Sequence, residues 1–189
     1  MTIGAGYDMG GRSESEVKAD LIAAGADANV AAKMAKGAGK TGAAAEEFVT
    51  TNRPTLVITD VTILKKLFAN IYPKYVSRAN QCFAYHAKTF IAAMPTYGPQ
   101  YKSAMFFDWQ YLYPAIRVIA IDFVFQGFGK QAAGYGKPLH FCMANDFDWL
   151  IKYIQTSPLS QYEAGRGRAK YLQSRKLSEV AAYSNCPVK

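Results

Sequence analysis

The chain changes character near Pro54, and that change restricts its folding more than any motif does. Residues 1–50 are rich in Gly and Ala, hold few large apolar side chains, and carry Lys33, Lys36 and Lys40. Residues 61–183 hold both Trp, most of the Tyr and most of the Phe. The second stretch can bury a core of its own, whereas the first offers little apolar surface to water's exclusion. The division predicts an N-terminal arm over residues 1–53 and a folded body over residues 54–189.

Apolar periodicity assigns the class. Val61, Leu64, Leu67, Phe68 and Ile71 recur at three- and four-residue steps behind Thr59 or Asp60, either of which can cap a helix. Pro73 is expected to open a second helix at its first turn, with Tyr75, Ala79, Cys82, Phe83, His86 and Phe90 on one stripe. Pro95, Gly98 and Pro99 should end it. A third helix is expected from about Lys102 through Phe125, bent or divided at Pro114. Gly127, Gly129, Gly134, Gly136 and Pro138 read as a long loop. Asn145 or Asp146 caps a fourth helix bearing Phe147, Leu150, Ile151 and Ile154. A last helix, Arg168 to Tyr183, should turn Leu172, Leu177, Val180 and Ala181 inward.

In the arm, residues 1–12 read as a flexible leader. Ser13 and Glu16 form a capping box for a short helix that stops at Gly25. Asp27 caps a second helix closed by Gly37, and a third runs from Ala43 to Val49. Such pieces are marginal alone and need a surface to lie on. No strand alternation and no long repeat is visible. The expected fold is all-α, a four- or five-helix bundle with an extended helical N-terminal arm.

Charge points to an anionic partner. The formal net charge is +8, yet residues 1–50 hold five Lys/Arg against seven Asp/Glu, while residues 51–189 hold seventeen against seven. Nucleic acid and a lipid headgroup surface are the candidates. A membrane crossing is disfavoured, because the greasiest stretch, residues 104–128, is interrupted by Asp108, Pro114, Arg117 and Asp122. The first residues lack the basic and apolar regions of a signal peptide. Three cysteines, Cys82, Cys142 and Cys186, form no disulfide framework and fit a reducing compartment.

Two basic clusters stand out. Lys33, Lys36 and Lys40 lie at i, i+3 and i+7, on one face if the helix continues through the intervening glycines; ammonium groups so spaced can follow phosphates. Arg166, Arg168, Lys170 and Arg175, beside Gly165 and Gly167, offer guanidinium forks for bidentate phosphate contact. A solvated lysine face or a basic helix end explains either cluster without a ligand. Phe106, Phe107, Trp109, Tyr111 and Tyr113 would occupy every face of a helix there, so contact with another subunit is their expected use.

Enzymatic motifs fail on context. Gly37–Gly42 matches part of a phosphate-binding loop, but residues 30–36 form a helical run where such a loop needs a buried strand. Cys82, His86, His140 and Cys142 lack zinc-ligand spacing, and the first two sit on a core stripe. No catalytic residue, cofactor or metal is expected; the alternatives are a nucleotide-binding enzyme that uses Gly37–Gly42 and a membrane-associated structural protein that uses Met105–Phe125.

The Ala/Gly/Lys arm to Lys40, followed by aromatic-basic helices such as Asn70–Arg78, resembles the coat proteins of helical filamentous viruses, nearest to the archaeal lipothrixvirus and rudivirus type. That resemblance implies a four-helix bundle whose N-terminal helical arm wraps double-stranded DNA in the virion. It further implies self-assembly into a filament, a second related coat protein and a lipid envelope in the lipothrixvirus case, and synthesis in the host cytoplasm. Arg117 to Phe123, with Asp122, is similar to a signature of flexible filamentous plant virus coat proteins. This second resemblance implies single-stranded RNA instead.

Overall fold

The computed structural model describes residues 1–4, 6–97, 105–132 and 136–184, with backbone alone at residues 94–97 and 184. Among the described residues the chain is all-α apart from a two-residue-per-strand hairpin. It divides into two compact units, Met1–Lys74 and Tyr75–Lys189.

The first unit begins with β1 (Thr2–Ile3) and β2 (Tyr7–Asp8), paired antiparallel with Thr2 opposite Asp8. The expected flexible leader is therefore ordered. Its turn uses Gly4 and Gly6 at φ +53° and +102°, backbone that other residues adopt at a cost. Ile3, Tyr7 and Met9 are buried, and the Tyr7 hydroxyl donates to Asp20 at 2.7 Å. Burial and that carboxylate push the Tyr7 phenol well above its ordinary pKa.

Helix α1 (Glu14–Ala23) starts at Ser13, whose hydroxyl accepts from the Glu16 amide. α2 (Ala28–Ala35) starts at Asp27, which accepts from the Asn29 and Val30 amides. Both caps follow the sequence signals. α1 packs on α2, burying Val17, Leu21, Ala31, Met34 and Ala35. The expectation that these pieces lack a core is thereby corrected: alanines permit close approach, so a few larger residues suffice. Gly37 completes the packing, since a Cβ there would lie 2.7 Å from Phe48 and 2.8 Å from Met1. α3 (Gly42–Asn52) is followed by a 3-10 turn over Arg53–Thr55.

Helix α4 (Val61–Tyr97) replaces the two helices expected on either side of Pro73. Asp60 opens it by accepting from Thr62. Pro73 is tolerated because it and Ala69, whose carbonyl would meet the missing N–H, are both exposed, where water can satisfy the oxygen. Pro95 falls inside the helix, while Gly98 and Pro99 lie outside the described residues. Residues 61–74 of α4 bury Leu67 and Ile71 in the first unit; residues 75–97 bury Ala79, Cys82, Phe83, His86 and Ala87 in the second.

In the second unit, the helix expected from Lys102 is corrected. Lys102 lies outside the described residues, residues 105–107 are non-helical, and Trp109–Tyr111 form a 3-10 turn. Asn145 holds this segment, accepting from the Tyr113 amide at 2.7 Å and donating to the Tyr111 carbonyl at 3.1 Å. Pro114 then starts α5 (Pro114–Phe125) rather than bending a longer helix. Part of the expected loop is helical too: α6 spans Lys137–Met143, with Gly134 outside the described residues. α7 (Phe147–Thr156) starts at Asp146 and buries the four expected residues, Phe147, Leu150, Ile151 and Ile154. A short α8 (Glu163–Arg166) leads into α9 (Arg168–Ser184), and α5 packs on α6 and α9. α9 buries Leu172 and Glu179, whereas Leu177 is 82% exposed and Val180 and Ala181 also face outward. Glu179 takes the inward position because it caps α5, accepting from the Ala115 amide at 2.9 Å.

Candidate nucleic-acid interface

Lys33, on the outer side of α2, and Lys36, the residue that caps its C-terminal end, are both exposed, while the helix's inner face carries Ala31, Met34 and Ala35. Neither makes an ion pair among the described residues. The seven-residue lysine face does not form as expected. α2 ends at Ala35, and the chain turns through Gly37 and Gly39, the latter at φ +72°. Lys40 is half-buried with its ammonium 6.0 Å from the Phe48 ring. A helix precedes the Gly37–Gly42 loop, so the strand that a phosphate-binding loop requires is not there.

The arginine cluster is organised differently. Arg168 is 2% exposed; its Nε donates to Asp122 at 2.5 Å, its Nη2 donates to Gln126, and its guanidinium lies over the Phe123 ring at 5.1 Å. Arg166 donates to the other Asp122 oxygen at 2.6 Å. Arg175 contacts Glu179 at 3.2 Å, and Lys176 binds Asp148. These cations are tied to carboxylates of the same unit. Lys170 alone of the predicted C-terminal group is exposed without an ion pair among the described residues. Burial excludes Arg168 from any contact with an outside phosphate in this state.

Sequence reasoning named none of the cations of α4 as contact residues. Lys65, Lys66, Lys74, Arg78 and Lys88 are all exposed. The signal was available: no Asp or Glu occurs from Val61 to Phe107. Lys74 approaches Glu16 at 3.9 Å but is 64% exposed, and Glu16 is bound more closely by Arg12 at 2.6 Å.

The predicted contact aromatics separate into two groups. Phe106 and Tyr111 are 43% and 58% exposed. Trp109 packs edge-on against Phe83 at 5.5 Å, Phe107 lies 6.4 Å from Phe90, and Tyr113 sits between Phe147 and Tyr183 at 5.1 and 4.7 Å. The last three thus serve the unit's own packing.

The four metal candidates do not converge. His86 is buried with Nε2 2.6 Å from the Lys130 carbonyl oxygen, and its ring is 5.9 Å from that of His140. Burial, with His86 adding to it, lowers the His140 pKa to about 4. Cys82 and Cys142 are buried free thiols whose pKa values burial raises, and Cys186 lies outside the described residues. Among the described residues no three His, Cys, Asp or Glu side chains gather as a metal site. No helix among them is long and apolar enough to cross a membrane.

The chain belongs to the family described as Domain of unknown function (DUF8812), which matches residues 1–159. No curated protein and no solved structure matches the chain.

Proposed function

We propose that this protein is a non-enzymatic coat protein that packages nucleic acid into a helical filament, with double-stranded DNA the favoured genome and single-stranded RNA the alternative. One observation carries the reading: Lys33 and Lys36 stand exposed and without an ion pair among the described residues, on and at the end of a helix whose other face is already packed. Such ammonium groups can neutralise phosphates without first breaking a contact, and binding needs no folding of α2. Lys40 and Lys170 can add to this, and exposed Arg166 and Arg175 can do so only in competition with Asp122 and Glu179. Contacts to phosphate carry no base code, so packaging is sequence-independent. Of the five predicted contact aromatics, Phe106 and Tyr111 are exposed and available for packing one subunit on the next. A second coat protein or an envelope lipid would meet the same outer surface.

The test is negative-stain imaging of purified protein mixed with unrelated DNA duplexes and RNA strands, beside binding measured over a salt series. Filaments that incorporate nucleic acid of any sequence are expected, with affinity falling steeply as salt rises. Affinity for one sequence alone, or no binding to either polymer at low salt, overturns the reading.

A further inference from the structure

We infer that a cavity within the first unit, beside the Arg53–Thr55 turn, is a binding site for a small amphipathic carboxylate. The ligand is a single acyl chain of medium length whose head group pairs with Arg53. The site goes beyond the packaging of nucleic acid and does not depend on it.

The segment that follows α3 builds one wall of the cavity. Its turn is fastened at Asn52, whose carbonyl accepts from the Leu56 amide at 3.1 Å and from the Thr55 hydroxyl at 3.0 Å. The chain then runs without helix through Leu56, Val57 and Ile58 before α4 begins. These three side chains, with Met34 of α2, Val49 of α3 and Leu64 of α4, line a space of about 290 Å³. That volume lies close to the lower bound of about 300 Å³ for small-molecule sites. Val49 and Val57 are exposed, and none of residues 56–58 is fully buried. Consecutive apolar residues left partly uncovered are a cost to the fold by itself, and an apolar ligand removes that cost.

Charge complementarity selects the head group. Arg53 is the one charged side chain among the residues that line the cavity, and no acid lines it. It is exposed and makes no ion pair among the described residues. A guanidinium presents its donors as a planar fork that matches a carboxylate through two parallel bonds. Because its backbone is fastened by Asn52, less freedom is lost when the pair forms. One cation balances one negative charge, so a carboxylate answers this site better than a phosphate dianion. The apolar walls then take the tail. A space of this size takes one short chain, not the two long chains of a membrane lipid.

The test is calorimetric titration of the full-length protein with sodium hexanoate, octanoate and decanoate, each kept below its micelle concentration. Decyltrimethylammonium supplies the same tail on a cationic head, and phosphatidylglycerol vesicles supply acyl chains in a membrane. Saturable binding of one alkanoate per chain is expected, tightening about fourfold per added methylene until the cavity is full. Decyltrimethylammonium should bind about tenfold or more weakly than decanoate. Arg53→Gln should weaken decanoate binding by about tenfold to a hundredfold. Val57→Glu, which sets a like charge on the wall, should weaken it too. Both substitutions lie at exposed positions, and far-UV circular dichroism verifies folding. Should either variant misfold, the alkanoate series and the cationic control on the wild type test tail and head without it. The site is overturned by the absence of saturable alkanoate binding or by an affinity indifferent to chain length. It is equally overturned if decyltrimethylammonium binds as tightly as decanoate, or if either variant binds as tightly as the wild type. Binding to the vesicles alone overturns the free acyl chain as the ligand.

Discussion

Lys33 and Lys36 on α2, and Arg166, Arg168 and Arg175 at the start of and along α9, looked alike as clusters of positive charge. They differ in what holds them. The lysines stand exposed, on and at the end of a packed helix, and pair with nothing among the described residues. The arginines are bound at distances of 2.5 to 3.2 Å to Asp122 and Glu179. A paired, buried guanidinium stabilises a fold and has no charge left to offer outside; an exposed ammonium contributes little to folding and keeps its charge for a ligand. Under the proposed function, positive charge therefore has two separate uses in this chain. Substitutions that touch one use should leave the other unchanged.

The largest effect is expected from Asp122→Ala. It strands Arg168, 2% exposed, with no carboxylate, and removal of one member of a buried pair costs about 3–5 kcal/mol. Urea denaturation should show that loss. A cost below about 0.5 kcal/mol, the range of ordinary surface changes, would mean that the arginines are not structural and would collapse the comparison. Glu179→Ala comes next. It removes the acceptor for the buried Ala115 amide at the start of α5, at a cost of about 1–3 kcal/mol. Arg175→Ala should cost less than Glu179→Ala, because half of the Arg175 side chain is exposed. The reverse order would assign the stabilisation to the ion pair rather than to the cap.

How far the sequence reveals all this depends on the range over which a signal acts. The caps at Ser13, Asp27, Asp60 and Asp146 are legible because donor and acceptor lie within three residues. Helical class and the α7 core are legible from periodicity for the same reason. Partners of the arginines are not, since Asp122 lies 44 residues from Arg166 and 46 from Arg168. The same limit hides the inward turn of Glu179, set by an amide 64 residues away. The α1–α2 core escaped notice for another reason: counting large apolar side chains undervalues alanine, which buries by proximity. Pro73 misled because a proline is read as a boundary, while its exposed position lets the helix continue. The carboxylate-free α4 was legible throughout, but only as an absence.

A smaller effect should come from pH. His140 has a pKa of about 4 in the folded chain against an ordinary 6.5, mainly through burial. Between those values the unfolded chain binds the extra proton. Stability contributed by the neutral ring is thus full above about pH 6.5 and is lost progressively as pH falls toward 4. The thermal midpoint should fall over that window, and His140→Phe should flatten the fall. A midpoint that drops equally in both proteins assigns the loss to other groups.

The smallest effect on folding is expected where the effect on binding is wanted. Lys33→Gln with Lys36→Gln removes two charges that touch no acid among the described residues, so stability should move by no more than about 0.5 kcal/mol. Helical content should not change, because α2 is held by Asp27 at its start and by Met34 and Ala35 on its inner face, not by its lysines. The salt slope of nucleic-acid binding should nevertheless fall, by up to about 1.8 on duplex DNA for two lost phosphate contacts. Paired measurement of the two quantities decides the matter. A variant that loses stability but keeps its slope would put Lys33 and Lys36 with the arginines, as parts of the fold. A variant that keeps both would leave these lysines to solubility alone.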